Sequence, residues 1–335
     1  MFPFMIHSTP SRADRALSYV SMLTRDIIVV GSSAGGVEAL TALVRRLPAD
    51  LPASIFVVQH VPSEHKSMLP RILGSVGKIP VSHPADGEKF ERKHIYVAPS
   101  DHHLLLEADH TMRVVRGPRE NGYRPAADTL FRSAARTYGP RVIGAVLTGA
   151  LDDGTAGLIA IKREGGLAVV QSPEEAYCAD MPRSAIQNVD VDEVVTIAEL
   201  ARKLPKWARQ AAPARHSGPR PVLQPLLEQP APFTCPACGG VLNEIHEGKL
   251  TRFRCRVGHA YNPEALQHAQ ALDLESALWA ALRALEEQSE LARRLATRAR
   301  TIKQVKSAAR YEERASAAAH QAARVRQALR LGKPH

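Results

Sequence analysis

The sequence predicts an α/β protein: a doubly wound, mainly parallel sheet with helices on both faces, plus a small zinc ribbon and a C-terminal helical segment. Three observations carry this. Asp26-Ile27-Ile28-Val29-Val30 is a β-branched, nearly all-apolar run that ends in Gly31, as a buried strand does. Beyond Gly36 the apolar spacing turns helical, through Val37, Leu40, Val44 and Leu47. The same alternation of apolar strand and amphipathic helix then recurs to about residue 210, which implies parallel strands covered on both faces.

Taken in order, strand 26–30 is followed by a glycine turn, Gly31-Ser32-Ser33-Ala34-Gly35-Gly36, and the first helix. Such turns let backbone or ligand approach closely, and they serve either a phosphate at a helix N-terminus or a nucleophilic serine. Strand 54–59 ends at His60. After the polar segment 63–66 come a short helix at 67–74, a strand at 94–99 and a hairpin of 103–107 with 112–116. The expected remainder is a helix at 124–138, a strand at 142–148 ended by Gly149, a helix at 154–163 and a strand at 167–171. A helix at 180–187, a short strand at 192–195 and a helix at 197–210 complete it. Within this domain Arg124 and Asp128, one helical turn apart, read as a plain surface pair. His102 and His103 read as the start of the hairpin, and Cys178 as an unreactive thiol.

In a parallel sheet, ligands bind outside the carboxyl ends of the strands. Ser33, His60 and Asp153 each follow such an end, so a Ser-His-Asp triad is geometrically possible. A serine needs a histidine to take its proton, and a carboxylate to orient the imidazole and stabilise its cation. Backbone N–H groups would stabilise the oxyanion; Ala34 is one candidate donor, and the Gly149-Ala150 turn supplies the other. Taken singly, each residue has a plainer reading as turn, loop residue or helix cap. The dinucleotide alternative lacks G-x-G-x-x-G and an acid closing the second strand. The P-loop alternative lacks Lys-Ser/Thr, since Gly36 is followed by Val37-Glu38.

Several motifs in order resemble the chemotaxis protein-glutamate methylesterase family, the CheB catalytic domain. They are the Gly31 to Gly36 turn, Val58-Gln59-His60, Val97-Ala98-Pro99-Ser100-Asp101-His102-His103-Leu104, Arg124-Pro125-Ala126-Ala127-Asp128-Thr129-Leu130-Phe131-Arg132-Ser133-Ala134, the Leu147 to Gly154 turn and Met181-Pro182-Arg183-Ser184-Ala185-Ile186. The resemblance covers about residues 25–204. It implies a cytoplasmic hydrolase acting on γ-glutamyl methyl esters of chemoreceptors, with glutamine deamidation in many members, and no cofactor for catalysis. Carried over by motif, Ser33 is the nucleophile, His60 the base and Asp153 the carboxylate; Ser32 and Asp152 adjoin the triad without belonging to it. About two dozen residues precede the first strand, so a receiver-less member is expected. The family often has threonine where this chain has Ala34, and Met-Gly where it has Ala150-Leu151. A non-catalytic adaptor that uses the same fold as a docking surface is the alternative function.

The expected organisation is a leader at 1–24, the catalytic domain at 25–210, a proline-rich linker at 211–232, the ribbon-like element at 233–262 and a helical tail at 263–335. Cys235-x2-Cys238 followed by Cys255-x3-His259 supplies three thiolates and an imidazole, a closed donor set for structural zinc, with two short strands between the knuckles. A flexible linker would leave catalysis largely independent of that metal. Four cysteines in 335 residues, three of them clustered, fit a reducing compartment. No apolar run approaches the roughly 20 residues of a membrane helix. In the tail, Leu274, Leu278, Leu282 and Leu285, then Leu291, Leu295, Ile302 and Val305, are expected to form the seam of a hairpin or coil that receives a signalling partner. The formal net charge of +10 reads plainly as solubility and, more sharply, as an acidic partner or nucleic acid. A nucleic-acid role is not favoured, because aromatic interleaving and a reading motif are missing.

Overall fold

The computed structural model describes residues 23–61, 67–214 and 229–331. Most of the expected leader, the core of the expected linker and the segment 63–66 lie outside the described residues. The first unit, up to Leu266, contains the strands β1 (Ile27–Ser32), β2 (Ser54–Gln59), β3 (Val81–Ser82), β4 (His94–Val97), β5 (His103–Leu106), β6 (Met112–Val115), β7 (Val142–Val146), β8 (Leu167–Gln171) and β9 (Glu193–Val195). Its main helices are α1 (Gly36–Arg46), α2 (Leu69–Val76), α3 (Ala127–Tyr138), α4 (Thr155–Arg163), α5 (Asp180–Asn188) and α6 (Ile197–Arg209).

Seven strands form one sheet in the order β3-β4-β2-β1-β7-β8-β9, and every pairing in it is parallel. The strand order reverses between β1 and β7, which makes the carboxyl end of β1 the topological switch point where open α/β sheets bind ligands. Alternate residues of each strand feed two separate cores. Ile28, Val30, Ile55, Val57, Ile143 and Ala145 pack with α1, α2 and α6. Ile27, Val29, Phe56, Val58, Val142 and Val146 pack with α3, α4 and the β5–β6 hairpin. The central strands are therefore apolar along most of their length, with polar residues such as Ser32, Ser54 and Gln59 at their ends, as a sheet covered on both faces requires. Thr196 caps α6: its hydroxyl accepts the Glu199 N–H at 3.2 Å, and the Glu199 carboxylate accepts the Thr196 N–H at 2.9 Å.

Three details depart from expectation. β1 runs to Ser32 because Gly31 and Ser32 still pair with Val58 and Gln59. α3 begins at Ala127 rather than at 124, since Pro125 disfavours helical backbone at the residue before it. The two-residue edge strand β3 is too short to show a period.

After the undescribed segment, β10 (Gln229–Thr234), β11 (Val241–Glu247), β12 (Leu250–Cys255) and β13 (Ala260–Tyr261) form a second, antiparallel sheet in sequence order. The hairpin β11–β12 turns at Gly248, where φ is +65°. β10 adds an outer strand in a stretch with no alternating pattern.

Two long helices follow, α7 (Pro263–Thr301) and α8 (Val305–Leu331). In the second unit, from Gln267 onward, they form an antiparallel hairpin held by Ser289 Oγ donating to Ala315 O at 2.9 Å and by the Arg326–Glu286 and Arg300–Glu312 ion pairs. The expected leucine seam is only partly right. Leu282 is buried, whereas Leu274, Leu291, Ile302 and Val305 are exposed. The buried line is Leu282, Ser289, Ala292, Ala296 and Ala299 against Ala308, Ala315, Ala318 and Ala322. These positions keep a heptad-like spacing, and their small side chains let the two backbones approach.

Candidate active site

β2, β1 and β7 are adjacent, so their ends bring three loops together. At the first, the Ser33 N–H donates to Thr148 O at 3.0 Å, and Gln59 Nε2 donates to Ser33 O at 2.8 Å. The His60 N–H donates to Ser32 O at 3.1 Å. Ser33 is thereby tied to both neighbouring strands, half-buried, while Ser32 is fully buried with its hydroxyl donating to Gln59 Oε1 at 2.8 Å. Of the two adjacent serines, Ser32 is spent on structure. Gly149 has to be glycine here: a Cβ would lie 2.8 Å from the Ser33 Cβ and 2.1 Å from the Met181 sulfur.

His60 Nε2 pairs with Asp153 Oδ2 at 2.8 Å. Its other ring nitrogen, Nδ1, is buried and has no hydrogen-bond partner among the described residues. With the carboxylate holding the Nε2 proton, Nδ1 is the basic nitrogen, free to accept one. The Tyr123 ring lies on the imidazole, centroids 3.7 Å apart and 12° from parallel. Asp153, fully buried, also accepts from Asn121 Nδ2 at 2.9 Å, the Ala127 N–H at 2.6 Å and the Asp128 N–H at 3.1 Å. The last two are the N-terminus of α3, whose dipole favours an anion there. α3 comes this close because β1 carries Gly31, where a Cβ would meet the Ala127 Cβ at 2.6 Å. Burial opposes ionisation of Asp153, but His60 and these donors outweigh it and hold the carboxyl below its ordinary range.

Asp152 is environmentally the opposite of its neighbour. Its Oδ2 accepts only the Glu264 N–H, at 3.2 Å, and its Oδ1 is buried without a partner among the described residues. Burial, then the nearby carboxylates of Asp128 and Glu264, push its pKa up to about 8. It is largely neutral at pH 7, and unsuited to stabilising an imidazolium. In the turn before it, the Gly149 N–H donates to Cys178 O at 2.9 Å. The N–H groups of Ala34 and Ala150 bond to no other described residue, and neither do those of Gly35 and Leu151 beside them. Leu151 takes a φ of +64°, a conformation costly for a branched side chain.

Sequence reasoning missed the shell around His60 and Asp153. Asn121 and Tyr123 lie in a loop without periodicity, and nothing in their spacing signals the contact. The Arg124–Asp128 surface pair is not formed: Arg124 binds Asp101 at 2.6 Å, and Asp128 is fully buried. Asp128 accepts from the Gly157 N–H at 2.6 Å, Asn121 Nδ2 at 2.9 Å and Asn262 Nδ2 at 3.3 Å. Burial and the Asp153 charge raise its pKa. Glu120, between Arg132 and Arg252, is buried, yet the two guanidinium groups hold its carboxyl well below the usual range. His103 is structural, as expected. Its Nδ1 accepts the Ala126 N–H at 3.3 Å and its Nε2 faces Pro118 O at 2.9 Å.

Cys235, Cys238, Cys255 and His259 converge, their ligand atoms all within 4.8 Å of one another. The Cys235 and Cys255 sulfurs stand 3.7 and 3.6 Å from His259 Nδ1, and the Cys238 and Cys255 sulfurs 3.7 Å apart. A tetrahedral zinc with ordinary bond lengths places S···S at about 3.8 Å and S···N at about 3.6 Å. The donor set and its spacing fit that ion.

The α/β domain resembles known proteins. The family model described as CheB methylesterase matches residues 28–204. A putative protein-glutamate methylesterase/protein-glutamine glutaminase of Leptospira interrogans is 40% identical over 176 residues, 52% of this chain and 91% of that protein. Protein-glutamate methylesterase/protein-glutamine glutaminase 1 of Geobacter metallireducens is 37% identical over 187 residues, and there the match spans 51% of the relative. The crystal structure of the Thermotoga maritima CheB methylesterase catalytic domain superposes with a TM-score of 0.53 at 33% identity, covering 54% of this chain and 97% of that one. The matched span holds the whole seven-stranded sheet and each of the three strand-end loops that carry Ser33, His60 and Asp153, and on that ground the chain belongs to the CheB methylesterase family.

Proposed function

We propose that this chain is a serine esterase that hydrolyses glutamyl methyl esters on methyl-accepting chemoreceptor-like proteins, and glutamine side-chain amides by the same route. The names of its relatives support the substrate class. The observation that carries the chemistry is the His60 ring: Nε2 held by Asp153 at 2.8 Å, and Nδ1 buried with no partner among the described residues. A fold kept only as a docking surface has no need to bury an unpaired basic nitrogen, at a cost of about 1–3 kcal/mol; this favours the enzyme over the adaptor.

In the proposed reaction Ser33 Oγ attacks the ester carbonyl while His60 Nδ1 takes its proton, and Asp153 stabilises the imidazolium. The N–H groups of Ala34 and Ala150 receive the oxyanion. His60 returns the proton to the departing methoxide, releasing methanol. Water, activated by the same nitrogen, then hydrolyses the glutamyl–Ser33 ester, leaving a glutamate and the free serine. The Cys3His cluster is read as a structural zinc site, with no position left open for a substrate. Four cysteines, three of them clustered as metal ligands and one left over, suit a reducing, cytoplasmic setting.

Methanol release from methylated receptor fragments tests the reading. Wild type should release it, and Ser33→Ala should lose at least 1000-fold in rate. Robust release retained by Ser33→Ala would reject the mechanism.

A further inference from the structure

The ribbon and the triad share one loop. Three positions after the metal-ligand candidate His259 comes Asn262, fully buried. Its backbone N–H donates to Asn121 Oδ1 at 2.8 Å. The same Asn121 amide sends its Nδ2 to Asp153 Oδ1 and to Asp128 Oδ2, both at 2.9 Å. An amide can flip, and flipped it would set its oxygen against two carboxylates. The N–H of Asn262 fixes its orientation, because only an oxygen can receive that donor. The ribbon grips the loop at further points. The Asn121 N–H donates to Ala260 O at 2.7 Å, Arg252 forms a buried ion pair with Glu120, and Arg252 Nε donates to Asn262 Oδ1 at 3.0 Å. Tyr123, two positions on, stacks on His60.

Within its own sheet, β13 is held by a short pairing. It pairs with β12 at only Phe253–Tyr261 and Arg254–Ala260, and the segment between the two strands contains both Cys255 and His259. Without a cation, three converging thiol groups and an imidazole have little reason to stay clustered, and ligand sets of this kind couple metal binding to local folding.

We propose that the metal-closed ribbon is a positioning element of the catalytic triad: metal bound at Cys235, Cys238, Cys255 and His259 holds β13, β13 holds Asn121 and Tyr123, and these hold Asp153 and His60. Metal occupancy then sets the acylation rate of Ser33. The proposal rests on the esterase reading above. It replaces the expectation that catalysis ignores the ribbon.

The test uses the full chain loaded with zinc and a fluorophosphonate probe that labels an activated serine, so that no receptor need be identified. Loaded wild type should label at Ser33. Chelation, or Cys238→Ser, should slow the first-order labelling step at least 10-fold with the probe's saturation constant unchanged, and returning zinc to the chelated wild type should restore it. Asn262→Ala should keep one equivalent of zinc yet label 3- to 10-fold more slowly. In Asn121→Ala, labelling should already be slow, and chelation should change it less than 2-fold, because the connecting residue is gone. Thermal unfolding by circular dichroism, with the main transition retained after chelation, separates this from collapse of the fold. Labelling indifferent to zinc removal, an equal further fall in Asn121→Ala, or loss of the main transition would overturn the proposal. No labelling of loaded wild type would overturn the esterase reading itself.

Discussion

The Tyr123 ring covers one face of the His60 imidazole at 3.7 Å between centroids. The contact resists rotation of the imidazole about its Cβ–Cγ bond, and the hydrogen bond to Asp153 opposes the same motion. The flat surface matters, not the hydroxyl, whose pKa is raised by burial and then by the Asp153 and Asp152 charges. Tyr123→Phe should keep methanol release within about 3-fold of wild type, and Tyr123→Ala should lower kcat about 10-fold or more. Equal losses in the two variants would show that the hydroxyl, not the ring, is needed.

The neighbouring pairs Ser32/Ser33 and Asp152/Asp153 separate position from composition. Ser33→Ala, His60→Ala and Asp153→Asn should each cost at least 1000-fold in kcat, because the three act as a unit. Ser32→Ala loses one buried hydrogen bond to Gln59, about 1 kcal/mol of stability, and should keep most activity. Steady-state methanol release on purified variants reads both; activity lost in Ser32→Ala and kept in Ser33→Ala would reverse the assignment.

Asp152 should make stability depend on pH. Its folded pKa of about 8 lies above the ordinary 3.8, so the folded state holds a proton that the unfolded chain has released. Stability associated with this group is fully present below pH 3.8 and is lost as pH rises towards 8. Asp152→Asn removes that dependence. Urea unfolding should show the variant gaining on wild type between pH 4 and pH 8, by about 4 kcal/mol at neutral pH. A gap that stays constant over that range would contradict the neutral carboxyl.

Glu120 has the opposite sign. Arg132 and Arg252 keep its carboxyl ionised well below the ordinary 4.5, so its contribution is present above that pH and is lost as pH falls below it. Arg252→Ala leaves a buried carboxylate with one guanidinium instead of two. Stability measured by urea unfolding at pH 7 should drop by about 3 kcal/mol, with a smaller drop at pH 3. A loss under 0.5 kcal/mol at pH 7 would mean that Arg132 alone suffices.

Leu151 holds a φ of +64° in the turn between Ala150 and Asp152. Leu151→Gly relieves that strain while adding chain entropy to the unfolded state, so it should be neutral or stabilising by up to about 1 kcal/mol. A destabilisation above 1 kcal/mol in thermal or urea unfolding would show that the Leu151 side chain is packed more usefully than its backbone is strained.

The sequence by itself determined the sheet, the strand-end positions of Ser33, His60 and Asp153, and the spacing of Cys235, Cys238, Cys255 and His259. Apolar runs closed by glycine mark buried parallel strands, and a rule about strand ends turns that pattern into a place for chemistry. It did not separate Ser33 from Ser32 or Asp153 from Asp152 without a family resemblance. That choice depends on the partners each side chain meets in the folded chain: Asp152 and Asp153 are both buried, yet they meet different donors. The folded chain shows how differently the neighbours are surrounded, with Ser32 bonded to Gln59 and Asp153 meeting four donors where the Asp152 side chain meets one. It also decided the shell. Asn121 and Asn262 are 141 residues apart, and Glu120 and Arg252 are 132 apart. No local period records a contact of that length. The place of β13 beside Asn121 and Asp128 follows from buried polar groups satisfying one another, which only the folded chain brings within reach.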